Sequence, residues 1–103
     1  MIVTAIFTPK SGKESALLAL LHSQAQHSWP EPGVLSYAIN ESSGEPKSFM
    51  NVEIYESAQA FQIHENSDHT KLFMKEMPEL VANPPVVFIG STLFVAEHPK
   101  SSL

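Results

Sequence analysis

The chain has 103 residues, a formal net charge of -5 at pH 7, 43% hydrophobic residues and no cysteine. This length fits one domain with one core, and the lack of cysteine excludes disulfides, thiolate metal ligands and a cysteine nucleophile. Arginine is also absent, so the sequence predicts no nucleic-acid partner, because a phosphate backbone selects strongly basic surfaces.

The first third of the chain has the pattern of a strand followed by a helix. Residues 2–8 alternate with period two, which predicts a strand. A helix is expected over residues 13–28, and Ser11 and Glu14 have the spacing of a capping box at its start. The apolar run at residues 2–7 is too short for a signal peptide or for a membrane span, which needs about 20 residues. The sequence therefore predicts a cytoplasmic protein without a membrane partner.

The middle of the chain has the pattern of a β-hairpin. Residues 34–41 and 49–56 both alternate, and a short Ser- and Gly-containing segment joins them. The first of these strands is expected to present one face formed by Leu35, Tyr37 and Ile39. The second is expected to present one face formed by Phe49, Asn51, Glu53 and Tyr55.

Two short helices and a final strand complete the pattern. Ser57 is expected to cap a helix that ends near residue 64, and Ser67 or Asp68 to cap a second helix. Pro78 is expected to kink or end that second helix. Residues 86–95 form a long apolar run with Gly90 inside it, which predicts a strand with a bulge or bend.

The element order is β-α-β-β-α-β, which predicts an α+β, ferredoxin-like domain with an antiparallel sheet. We expect one domain over residues 1–97 and a polar tail over 98–103. The final strand is apolar on both faces, whereas the helices can cover only one face of the sheet. A second copy packed on the other sheet face would cover the rest, so the sequence predicts a homodimer with twofold symmetry.

One region of the chain resembles a known protein family. It comprises residues 53–57 together with Ala60, Phe61, His64, Ser67, His69 and Phe73. This region resembles the signature of antibiotic biosynthesis monooxygenase-type domains, in which a strand ending in Glu-x-(Trp/Tyr) leads into a helix that carries a histidine. The resemblance extends over residues 2–95 and implies a dimeric α+β barrel.

Members of this family differ in chemistry. They include monooxygenases that need no metal, flavin or haem and act on quinols or phenols, haem-degrading enzymes, and a sugar-phosphate isomerase branch. The haem-degrading pattern has asparagine on the first strand, where this chain has Ile6 and Phe7, and its haem-facing tryptophan is missing because Trp29 ends the first helix. The resemblance therefore implies an oxygenase without a cofactor, which acts on a small aromatic molecule and dioxygen.

Two other functions stay open at this stage. One is isomerisation or epimerisation of a small hydroxy-ketone, with Glu53 and His64 as an acid/base pair. The other is a dimer that binds a small ligand without catalysis. Oxygen consumption distinguishes an isomerase from an oxygenase, because an isomerase consumes no oxygen.

The resemblance and the helical pattern together select candidate site residues. His64 and Glu53 are the candidate catalytic residues, since an imidazole titrates near neutral pH and a buried carboxyl can have a raised pKa. Candidate substrate-binding residues are Asn51, Tyr37, Phe61, His69, Phe73 and Met77. A purely structural interpretation also exists, in which His64 interacts with the end of its helix and His69 caps or packs on the next one.

The sequence predicts no metal site. His64 and His69 are five residues apart, which on a continuous helix rotates them about 140° from each other. A break at Asn66 and Ser67 could reposition them, with Glu53 as a third ligand, and this alternative stays open.

Overall fold

The computed structural model describes residues 1–96, so the predicted tail at 98–103 lies outside the described residues. Its sheet has four antiparallel strands in the order β2-β3-β1-β4. These strands are β1 (Ile2–Phe7), β2 (Val34–Glu41), β3 (Phe49–Tyr55) and β4 (Val86–Gly90). The strand order and the element order confirm the predicted α+β, ferredoxin-like fold.

Three α-helices pack on one face of this sheet. They are α1 (Glu14–Ser28), α2 (Ala58–Glu65) and α3 (Asp68–Glu76), and a 3-10 turn (Met77–Glu79) follows α3. Ser57 accepts a hydrogen bond from the amide of Ala60, and Ser67 accepts one from the amide of Thr70. Both predicted caps are therefore confirmed. Within residues 1–96, no helix has the length and apolar character needed to cross a membrane.

The predicted capping box of α1 is wrong. Lys13 occupies the N-cap position and makes no side-chain cap hydrogen bond. Gly12 adopts a positive φ of 84°, which turns the chain between Ser11 and the helix. Ser11 therefore lies in the turn, outside the capping position, and the helix begins at Glu14.

The predicted common face of Leu35, Tyr37 and Ile39 in β2 is wrong at its first position. Val34 pairs with Tyr55 and Ser36 with Ile54, so Leu35 is the extra residue of a β-bulge. Leu35 is 57% exposed, whereas Val34 is buried. The bulge places Val34 on the inward face with Tyr37, and the predicted alternation holds only after it.

The final strand is shorter than predicted. β4 ends at Gly90, which pairs with Ile2 at the start of β1, so β1 offers no further residue for pairing. The predicted strand over residues 86–95 is therefore wrong beyond Gly90, and residues 91–96 follow without regular structure. Their apolar side chains are exposed, with Leu93 at 97%.

The hydrophobic core lies between α1, α3 and the helix-facing side of the sheet. Leu17 and Leu21 of α1 are fully buried, and Phe7 meets Phe73 edge to face at 5.9 Å between ring centroids. Burial of each such side chain contributes about 1.5–3 kcal/mol to the free energy of unfolding. This packing fixes α3 against the sheet, and a buried hydrogen bond of 2.8 Å from Gln24 to Thr70 ties its first turn to α1.

A glycine sets the path of the loop before β2. Gly33 has a φ of 87°, and a Cβ added there would lie 2.6 Å from the Cβ of Ala60 on α2. The amide of Glu56 also donates a 2.8 Å hydrogen bond to the carbonyl of Gly33. The loop over residues 30–33 therefore lies directly against α2, where the candidate histidine is located.

Candidate active site

A cavity of about 410 Å³ lies between the helix-facing side of the sheet and the helices α2 and α3. Seven of the eight residues selected from the sequence line it: Tyr37, Asn51, Glu53, Phe61, His64, Phe73 and Met77. Val87 and Ile89 of β4 form part of its wall, and each remains about half exposed. The cavity is thus largely apolar and carries a small number of polar groups, which is the usual composition of a small-molecule site.

The polar groups on the sheet side come from the alternation of β3. Asn51 and Glu53 are 1% and 5% exposed, because both point inward beneath the helices. The hydroxyl of Tyr55 donates a hydrogen bond to Oε1 of Glu53. The Nδ2 of Asn51 lies 3.5 Å from the hydroxyl of Tyr37, whereas Asn51 Oδ1 has no hydrogen-bond partner among residues 1–96. Asn51 Oδ1 is therefore free to accept a hydrogen bond from a ligand.

Burial dominates the ionisation of these groups. Burial raises the pKa of Glu53, and the hydrogen bond from Tyr55 and the nearby His64 partly oppose this effect. Burial also raises the pKa of Tyr37 and of Tyr55, and the carboxylate of Glu53 raises both further. The two phenols therefore remain protonated, and of the two only Tyr37 lines the cavity.

His64 is the buried imidazole of the site, with 5% of its surface exposed. Its Nδ1 lies 3.1 Å and 3.3 Å from the two carboxylate oxygens of Glu31. Its Nε2 lies 4.0 Å from Oε1 of Glu53 and has no hydrogen-bond partner within residues 1–96. The rings of Tyr55 and Phe61 flank the imidazole, with centroids at 5.4 Å and 6.2 Å. When Glu31 accepts a hydrogen bond from a protonated Nδ1 of the neutral ring, the ring lone pair is on Nε2.

Glu31 is the site residue that sequence reasoning missed. It lies in the loop between α1 and β2, and its side chain is 12% exposed. No periodicity identifies a loop carboxylate, and 33 residues separate it from His64. The only signal is its place between Pro30 and Pro32, which restrict the backbone of the loop.

His69 has a different environment from the one expected of a substrate-binding residue. It does not belong to the lining of the cavity. Its Nε2 contacts Oε2 of Glu31, and its side chain is 23% exposed. The carboxylate of Glu31 therefore contacts both His64 and His69, and His69 lies outside the cavity lining.

The predicted break between the two helices brings the two histidines close together. Helix α2 ends at Glu65 and α3 begins at Asp68, so His64 and His69 do not lie on one continuous helix. The break brings their ring centroids to 6.0 Å from each other. One ligand atom each from Glu31, His64 and His69 lies within 4.8 Å of the other two. The carboxylate that completes this cluster is Glu31, whereas Glu53 lies on the opposite edge of the His64 ring.

The chain belongs to the antibiotic biosynthesis monooxygenase family, whose model matches residues 1–76. Two sequence relatives are each 27% identical. One is the uncharacterized protein sll1783 of Synechocystis, aligned over 89 residues, which are 86% of this chain and 60% of that protein. The other is YcnE of Bacillus subtilis, which has a provisional monooxygenase name, aligned over 84 residues, which are 82% of this chain and 88% of that protein. The chain thus spans about three fifths of the Synechocystis relative.

Solved structures show the same fold. Rv0793 from Mycobacterium tuberculosis is 30% identical, with a TM-score of 0.87. The match covers 93% of this chain and 97% of Rv0793. A protein from Nitrosomonas europaea, with a provisional name in the same family, is 23% identical. The TM-score is 0.82, and the match covers 91% of this chain and 100% of the Nitrosomonas protein. The second likeness shows the shared fold alone.

Proposed function

We propose that this protein is a monooxygenase that needs no metal, flavin or haem and acts on a small phenolic or quinol-like molecule. The observation that carries the proposal is the environment of His64. One ring nitrogen is held by Glu31, and the other has no protein partner at hydrogen-bond distance in the described chain. The ring lines an aromatic cavity, and family membership supports oxygenase chemistry.

The proposed reaction begins with a proton transfer. His64 Nε2 accepts the hydroxyl proton of the substrate, and Glu31 stabilises the imidazolium that forms. The resulting phenolate is electron-rich and transfers electrons to dioxygen. One oxygen atom forms the new carbonyl of a quinone, and the other leaves as water with two hydrogens from the substrate. Conversion of a phenol to a quinone releases the four electrons that this reduction needs, so no external reductant enters.

The remaining groups of the cavity orient the substrate in this proposal. Asn51 Oδ1 is buried without a donor among residues 1–96 and accepts a hydrogen bond from a substrate hydroxyl. The rings of Phe61 and Phe73 contact the aromatic body of the substrate. The apolar lining also limits the access of water to the phenolate.

The test is oxygen uptake by the purified, chelator-treated protein with a panel of hydroquinones and polyphenols. We expect the His64→Ala variant to lose at least about a hundredfold in turnover. His27→Ala is the matched control, because His27 is an exposed histidine on α1. Circular dichroism verifies that each variant is folded. Equal turnover in the wild type and His64→Ala would remove His64 from the mechanism, and no uptake with any compound would contradict the oxygenase proposal.

The distance between His64 and Glu53 supports a second candidate function. Nε2 and Oε1 lie 4.0 Å apart on the cavity side, which suits an acid/base pair that moves a proton between adjacent carbons of a hydroxy-ketone. Such an isomerase exchanges a carbon-bound hydrogen with D2O and consumes no oxygen. Hydrogen exchange without oxygen uptake would favour this function over oxygenation.

We also propose a homodimer that forms through the outer face of the sheet. Four large apolar side chains on this face are substantially exposed: Ile6, Ile54, Val86 and Phe88. They come from three adjacent strands and form one surface. A second copy that packs its own outer face on this surface would remove it from water.

A further inference from the structure

We propose that Glu31, His64 and His69 form a binding site for one divalent first-row transition-metal ion, with Zn²⁺ as the reference ion. The site follows from the geometry of the cluster and does not depend on the proposed oxygenase function. The site includes His64, which is also the proposed base, so a bound metal ion would affect the proposed oxygenase activity.

The chemistry of the three side chains selects the class of ion. Two imidazole nitrogens and one carboxylate oxygen are available, one atom from each residue. Imidazole ligands suit zinc, iron, nickel and copper, whereas magnesium and calcium prefer sites made of oxygen atoms. Glu31 pairs with two histidines and with no lysine within residues 1–96. A divalent cation would supply positive charge beside this partly buried carboxylate.

The distances between the three groups fit a metal ion after small side-chain movements. The three ligand atoms lie within 4.8 Å of one another, and His64 Nδ1 lies 3.1 Å from Glu31 Oε1. Ligand atoms on a tetrahedral zinc ion are about 3.4 Å apart, given bonds of about 2.0–2.2 Å. The largest separation therefore exceeds the value for a bound ion by at most about 1.4 Å. Three protein ligands leave one coordination position open, and His69 gives the cluster a solvent-exposed side.

A second carboxylate, Glu53, lies near the other ring nitrogen of His64. A metal-bound histidine usually donates its second ring N–H to a carboxylate or a carbonyl. When His64 binds a metal through Nδ1, its hydrogen is on Nε2, which faces Glu53 at 4.0 Å. The backbone positions are also fixed, because the Ser67 cap and the bond between Gln24 and Thr70 hold the first turn of α3.

Metal binding and the proposed base role exclude each other. A neutral imidazole bound through Nδ1 has its only ring hydrogen on Nε2, so this nitrogen cannot accept a proton from a phenol. Zn²⁺ is therefore expected to abolish oxygen uptake, and a chelator to restore it. This consequence rests on the proposed function, whereas the binding site itself does not.

The test is calorimetric titration of the full, chelator-treated chain with Zn²⁺ in the absence of substrate. We expect one ion per chain, and at least about a hundredfold weaker binding in Glu31→Gln and in His69→Gln. His27→Gln is the matched control, because the ring of His27 lies 5.8 Å from that of His69 but outside the cluster. No stoichiometric binding in the wild type would overturn the proposal, as would unchanged binding in both ligand variants.

A second measurement uses the wild type and so does not depend on the folding of variants. Co²⁺ is expected to give visible absorption bands of a four- or five-coordinate site, and Zn²⁺ to shift the imidazole NMR signals of His64 and His69 but not those of His22 and His27. Shifts confined to the latter pair would overturn the site. Zinc binding without oxygen uptake in the metal-free protein would leave the site standing and the oxygenase proposal contradicted. Oxygen uptake by a protein that does not bind zinc would contradict the metal site and support the oxygenase proposal.

Discussion

Asn51 shows how much of the site follows from alternation along one strand. Period two places it on the inward face of β3 together with Glu53 and Tyr55, and the structure confirms this face. That prediction required only local spacing. Glu31 could not be found in the same way, because its contact with His64 depends on the path of a loop 33 residues away in sequence.

The unpaired Asn51 Oδ1 leads to a prediction about substrate binding. In Asn51→Ala we expect KM for a phenolic substrate to rise roughly fivefold to tenfold with a smaller change in kcat, because one neutral hydrogen bond to the substrate is lost. Steady-state oxygen uptake measures both parameters. Asn40→Ala is the control, since Asn40 is an exposed residue of β2 whose side chain donates a hydrogen bond to the carbonyl of Met50. An equal rise in KM in both variants would contradict the role of Asn51.

At the scale of elements, the sequence predicted where strands and helices lie better than how they end. Ser57 and Ser67 were identified as caps because their side chains act on residues close in sequence. The bulge at Leu35 and the early end of β4 were missed, because both depend on the register between strands. The break between α2 and α3 was recognised, but its effect on the histidines required the packing of α3 against the core.

The close approach of Gly33 to α2 gives a prediction about stability. Gly33→Ala is expected to lower the free energy of unfolding by about 2–4 kcal/mol, because it combines a positive φ with a clash against Ala60. Gly12→Ala has the same kind of φ in open space and is expected to cost only about 1–2 kcal/mol. Urea denaturation measures both values. A loss in Gly33→Ala no larger than that in Gly12→Ala would show that the loop yields to the added methyl group.

For the whole molecule, the main feature is the apolar surface that the helices leave uncovered. Val86 and Phe88 are 68% and 61% exposed on the outer face of β4. The sequence predicted this surplus because the last strand is apolar at consecutive positions, and only one sheet face can be covered by helices. It could not show that the inward residues Val87 and Ile89 also remain half exposed, because this depends on how far the helices reach across the sheet.

The proposed dimer gives a prediction about assembly. Phe88→Lys places a charge on the outer face of the edge strand β4. We expect this variant to be monomeric at concentrations where the wild type is dimeric, because the buried charge would lack a partner. Light scattering coupled to size-exclusion chromatography gives the mass. Leu72→Lys is the control, since Leu72 is a comparably exposed apolar residue on α3. A monomeric wild type, or equal masses for wild type and Phe88→Lys, would contradict an interface on this face.

The alternation of β4 has a consequence for how such proteins diverge. Within five residues, Val87 and Ile89 line the cavity, while Val86 and Phe88 lie on the outer face. Selection for a new ligand and selection for self-recognition therefore act on interleaved positions of the same short strand. Substitutions at 87 and 89 can change the shape of the cavity while 86 and 88 preserve the surface of the proposed dimer. One strand thus allows ligand preference and assembly to evolve separately, although neighbouring residues determine them.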